Sequence, residues 1–173
     1  MFCIVAITLF STTETMAQMD LLVAGSVHRF NVINDGVMGG VSGSSLRLED
    51  KAVLFSGFVS LENNGGFASF RGPASIPGGT KALQLSVRGD GKRYKLTLKH
   101  SEDNAAPQYQ ANFDTSGAWE TLLFAPGQFR ASFRGRPVDT EPLDFSRVRS
   151  LGVLISDRQD GPFKLLIRRI TAQ

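Results

Sequence analysis

From residue 44 to residue 170, apolar and polar residues alternate in short runs. Clusters of Gly, Pro, Asn or Asp close each run. Alternation with a period of two puts every second side chain on one face of an extended strand, and the clusters supply the turns. No segment sustains the 3.6-residue period of an amphipathic helix. The cleanest run is residues 82–88, where Leu83, Leu85 and Val87 point one way and Gln84, Ser86 and Arg88 the other. The Gly89-Asp90-Gly91 turn is expected to return the chain as a hairpin, setting Tyr94, Leu96 and Leu98 opposite those three residues. In residues 51–61, Val53, Phe55, Gly57, Val59 and Leu61 share a side, with a bulge expected at Gly57. Runs at 108–113, 119–124, 129–133, 146–156 and 162–170 bring the total to roughly nine strands, at the spacing of about 8–12 residues seen in sandwiches. The expected fold is all-β, a jelly-roll β-sandwich.

The 173 residues are 42% hydrophobic and 20% charged, which suits one globular domain with a real core and argues against disorder. Thirteen Phe against two Tyr and one Trp indicate core aromatics rather than a sticky aromatic surface. The net charge of +3 comes from arginines scattered among acids, the pattern of a mixed, solvated surface. No basic run with interleaved aromatics points to nucleic acid. Cys3 is the only cysteine, so neither an intrachain disulfide nor a thiolate metal site can form. No run of 18 apolar residues exists, and no conventional membrane-spanning helix is expected.

Residues 1–19 are set apart from the domain at 20–173. Residues 2–10 are nearly all apolar, and a Thr-x-Ala ending at 15–17 follows a polar stretch. Two readings stand. One is a signal segment that would make the protein exported or periplasmic. The other is a spurious extension ahead of a start at Met16 or Met19, which would leave it cytoplasmic or membrane-peripheral.

Few residues offer chemistry. His28 and His100 have no second histidine or carboxylate at ligand spacing, so no metal site is expected. Gly40-Val41-Ser42-Gly43-Ser44 lacks the spacing of a nucleophile elbow. Gly91-Lys92-Arg93 leads into a strand, unlike a phosphate-binding loop, and no Gly-x-Gly-x-x-Gly is present. No cofactor is expected. Arg88-Gly89-Asp90 matches an adhesive tripeptide but is explained by the turn it occupies. Asp35, Glu62, Asp90, Asp157 and Asp160 could in principle supply a glycosidase pair or calcium oxygens. Each also sits in a loop, and all but Asp157 directly beside Gly or Asn, where a carboxylate caps a turn.

Glycine is densest in Asn34-Asp35-Gly36-Val37-Met38-Gly39-Gly40-Val41-Ser42, which must therefore be a shaped loop. With Asn63-Asn64-Gly65-Gly66-Phe67-Ala68-Ser69 it resembles the complex I intermediate-associated protein 30 family. The similarity continues through Arg88-Gly89-Asp90-Gly91 with Tyr94, the Tyr109/Phe113 pair, Trp119, and Phe133-Arg134-Gly135-Arg136. It ends with Leu151-Gly152-Val153-Leu154-Ile155-Ser156-Asp157 and Gly161-Pro162-Phe163, and so spans about residues 28–171. Phe30 stands where that family usually has a tryptophan, which keeps the bulk and loses an N–H donor. The resemblance implies a galactose-binding-domain-like sandwich. It also implies a non-catalytic assembly chaperone for respiratory complex I, with respiratory-complex subunits as protein partners.

On this reading the loops at 34–42, 63–67, 89–91 and 156–161 form one binding face. Phe67 is an apolar anchor, Val37 and Met38 either join it as anchors or tuck into the core and merely fix the loop, and Arg71, Arg93 and Arg134 are its charged contacts. Asn34, Asp35, Asp90 and Asp157 complete it. The alternative is a carbohydrate-binding module, with Asn63, Asn64, Asp90 and Arg93 meeting sugar hydroxyls. That alternative calls for exposed Trp or Tyr platforms, and Trp119 is expected in a core strand.

Overall fold

The computed structural model describes residues 19–103 and 105–173, apart from the side chain of Val37. The expectations for residues 1–18 lie outside the described residues. Two antiparallel sheets pack face to face. The six-stranded sheet contains β1 (Met19–Val23), β3 (Gly43–Glu49), β4 (Ala52–Val59), β6 (Leu83–Arg88), β9 (Glu120–Phe124) and β13 (Gly161–Ala172). Its order is β3-β4-β13-β6-β9, with β1 also on β13. The seven-stranded sheet contains β2 (Asn31–Asn34), β5 (Ala68–Pro73), β7 (Arg93–Lys99), β8 (Gln108–Asp114), β10 (Arg130–Phe133), β11 (Arg136–Pro137) and β12 (Ser150–Ile155). Its order is β11-β10-β8-β7-β12-β5-β2. Short 3-10 turns are the only helical elements among the described residues. This is the all-β sandwich that the alternation calls for.

The core lies between the sheets. Val53, Phe55, Leu83, Leu85, Val87, Leu165 and Ile167 of one sheet face Phe70, Tyr94, Leu96, Leu98, Val153 and Ile155 of the other, all buried. Phe55 contacts Phe70 and Phe163 edge-on or tilted, at 5.1 and 4.8 Å between centroids. Each such side chain contributes about 1.5–3 kcal/mol by leaving water.

Three expectations need correction. Residues 83–88 and 93–99 do not form a hairpin, because β6 pairs with β13 and β9 while β7 pairs with β8 and β12. The turn at 89–91 instead carries the chain from one sheet to the other. Alternation cannot tell these cases apart, since both bury the two apolar rows in the same core. Gly57 is not a bulge: it pairs regularly with Phe163, and the register shifts lie at 20/22 and 167/169. Trp119 is not in a core strand. It precedes β9 and lies on the outer face of the six-stranded sheet, against Ala52, Leu54 and Leu166. There Arg168 stacks at 4.1 Å and Arg88 at 5.4 Å from its ring.

Candidate functional site

The strand registers bring the loops at 34–43, 60–67, 88–92 and 156–160 to one end of the sandwich. Asp35 holds two of them together. It is 1% exposed. Its Oδ1 accepts the Ser42 N–H at 2.9 Å. Its Oδ2 accepts the Ser42 hydroxyl at 2.5 Å, the Gly66 N–H at 2.7 Å and the Phe67 N–H at 3.3 Å. Ser42 Oγ in turn accepts the Ser60 N–H at 2.9 Å. Burial pushes the carboxyl up, but these donors outweigh it and hold Asp35 below the usual Asp range. The same packing explains two of the glycines. A Cβ on Gly40 would overlap the Asp35 carboxyl, and one on Gly65 would lie 2.6 Å from Oδ2.

Around this centre, Asn34 Oδ1 accepts the Ser44 hydroxyl at 2.6 Å. Asn63 and Asn64 are exposed, both with positive φ (53° and 60°), a conformation asparagine tolerates. Phe67 is half-buried. Met38 is 65% exposed, projecting rather than tucking into the core. Val41 and Phe58 are exposed as well. Val41 lies two residues before Gly43, whose register partner is Phe58, so the rim carries apolar surface beside the Asp35 centre.

A second group of contacts binds the remaining loops. Asp90 accepts the Lys92 N–H at 3.1 Å, the Tyr94 hydroxyl at 3.0 Å and the Lys164 N–H at 2.8 Å. Burial, then the Asp90 charge, push the Tyr94 phenol far up. Arg93 makes a two-pronged pair with Asp114, at 2.8 and 3.2 Å. Lys95 meets Asp157 at 2.6 Å. Asp35 is thus engaged between its loops, and Asp90 and Asp157 tie theirs to β7 and β13. Among the described residues, no three His, Cys, Asp or Glu side chains group as metal ligands.

Arg71 and Arg134 do not join this end. Arg134 turns β10 into β11 at the opposite end, with its guanidinium 5.2 Å from the Phe133 ring. Arg71 lies on the outer face of the seven-stranded sheet, where Nη2 donates to Gln108 Oε1 at 3.0 Å. That face is polar: Arg71, Thr97, Lys99, Gln108, Gln110, Ser132 and Ser150 all take its outward phase. Sequence reasoning missed Lys99 and Ser150. An outward Lys or Ser in an alternating strand reads as solvated, and nothing local shows that it is covered. Val41 and Phe58 were missed because their exposure depends on the pairing of β3 and β4.

Residues 16–167 match the sequence profile described as Complex I intermediate-associated protein 30 (CIA30). A mouse protein, "Complex I intermediate-associated protein 30, mitochondrial", is 31% identical over 91 residues. That match covers 49% of this chain and 28% of the mouse protein. Among solved structures, the family 11 carbohydrate-binding module of the Clostridium thermocellum cellulase Lic26A-Cel5E superposes with a TM-score of 0.66 at 10% identity, over 87% of this chain and 92% of the module. The same family's module in complex with a β-1,3-1,4-mixed-linked tetrasaccharide also gives 0.66, at 12% identity over 90% and 94%. The agarase AgWH50C gives 0.58 at 11% identity, over 90% of this chain and 24% of the agarase. At these identities the structural likeness establishes the jelly-roll sandwich alone. The sequence match goes further, since it runs through both glycine-rich loops that meet at Asp35: the chain belongs to the complex I intermediate-associated protein 30 family.

Proposed function

We propose that the chain is a non-catalytic binding domain that docks its loop rim on a protein partner during the assembly of a membrane protein complex. The observation that carries this reading is the exposed Met38 on a loop fixed by the buried Asp35, with Val41 exposed on the same loop and Phe58 exposed where β4 pairs with Gly43. A flexible thioether on a rigid support suits an interface anchor, and ordering costs little when the loop is already held. The family description supports respiratory complex I as the complex, with its subunits as partners. The engagement of Asp35, Asp90 and Asp157 with neighbouring loops and strands supports a structural rather than a catalytic use of these carboxylates.

The likeness to carbohydrate-binding modules supports sugar binding as the second reading. Aromatic platforms do not favour it: Tyr94 and Tyr109 are in the core, and Trp119 is stacked under Arg168. Affinity capture of the tagged chain from its native cells in mild detergent separates the two. The docking reading expects respiratory-complex subunits with the wild type and their loss with Met38→Asp. Retention on polysaccharide, with no such subunits, would overturn it.

A further inference from the structure

We infer that the outer face of the seven-stranded sheet holds a binding site for a phosphate-class dianion, formed by Arg71 of β5, Lys99 of β7 and Ser150 of β12. Lys99 is 2% exposed and Ser150 is 4% exposed. The two are partners in register on the same face. The Ser150 hydroxyl has no hydrogen-bond partner, and buried polar groups rarely go without one. The Arg71 side chain crosses β12 at Gly152, its own register partner, which has no side chain, and extends to Gln108 of β8, so that its charge acts on Lys99. Lys99 donates to the Asp103 carbonyl and Arg71 to Gln108. An ammonium and a guanidinium carry many more N–H donors than those two acceptors satisfy.

Positive charge is in surplus too. Among the described residues no carboxylate pairs with Arg71 or Lys99. The Asp103 carboxylate accepts the Ala105 N–H instead, and its charge offsets only part of the effect of burial and of the neighbouring Arg71, which together hold Lys99 below the usual range. Two neighbouring like charges with unfilled donors, one buried and one half-buried, call for an oxyanion. Donors placed on three neighbouring strands of one face suit a tetrahedral group better than a planar carboxylate. This site is independent of the docking reading, since none of its residues lies on the loop rim.

The test is calorimetric titration of the full chain at pH 7 and low salt with inorganic phosphate, glucose 6-phosphate and acetate. Lys99→Met, Arg71→Gln and Ser150→Ala are titrated in parallel, each checked for folding by circular dichroism. Saturable phosphate binding is expected in the wild type, weakened about tenfold or more in Lys99→Met and about threefold in Ser150→Ala. Should Lys99→Met fail to fold, Arg71→Gln gives the same reading. Nitrogen NMR of the wild-type Lys99 ammonium is expected to shift on phosphate addition. Tighter binding of glucose 6-phosphate than of inorganic phosphate assigns the group to a sugar ester, and equal binding assigns it to the free ion. No heat and no ammonium shift in the wild type would overturn the site. So would equal affinity in folded variants, or acetate binding as tightly as phosphate.

Discussion

Asp35 shows how one residue shapes a motif. Its carboxylate needs donors from Ser42, Gly66 and Phe67, and it leaves no room for a Cβ at Gly40 or Gly65. Asp35→Ala would strand several buried donors and is expected to lower unfolding free energy by about 3 kcal/mol, read by urea denaturation. The carboxyl is held below its ordinary value of 3.8 in the folded state. As pH falls, the unfolded chain therefore takes up this proton first. The stabilisation is present above that value and is lost as pH drops towards the folded pKa. Urea midpoints measured from pH 6 down to pH 2 are expected to fall more steeply for the wild type than for Asp35→Asn. That these glycines build a shaped loop was legible in the sequence. That they make room for one carboxylate was not, because the packing joins loops 31 positions apart.

At the scale of the element, the alternation located most strands well. It did not decide which strands pair, because a hairpin and an inter-sheet crossing share the same pattern of faces. The contacts of the 89–91 turn reveal the difference: Asp90 ties Lys92 and Tyr94 to Lys164 of β13, joining the two sheets. Tyr94→Phe keeps the buried ring, removes that bond, and is expected to cost about 1 kcal/mol in thermal unfolding. Trp119 was unplaceable for a related reason, since the outer cluster it caps needs β4 and β13 side by side. Trp119→Ala uncovers Leu54 and Leu166 and frees Arg168, with an expected loss of about 2 kcal/mol. A loss within about 0.5 kcal/mol would mean that the cluster holds without its lid.

For the whole molecule, the sandwich separates two surfaces. One is the rim of loops at one end, with exposed Met38 and Val41 around a rigid centre. The other is the polar outer face of the seven-stranded sheet, where Arg71 and Lys99 lie. The sequence resemblance reached the fold and the family, and most residues expected on the binding face lie on loops at one end. It grouped Arg71 and Arg134 with the rim because chain order carries no information about which end or face a strand residue occupies. The central claim is that the rim is what meets a protein partner. It is tested most directly by placing a photo-crosslinking amino acid at position 38 and, in a second variant, at position 123. Leu123 is nearly as open to solvent but lies on the outer face of the six-stranded sheet. After irradiation in native cells, respiratory-complex subunits are expected in the crosslinked products from position 38 and to be absent or weak from position 123. Equal crosslinking from both positions, or crosslinking from position 123 alone, would contradict the account.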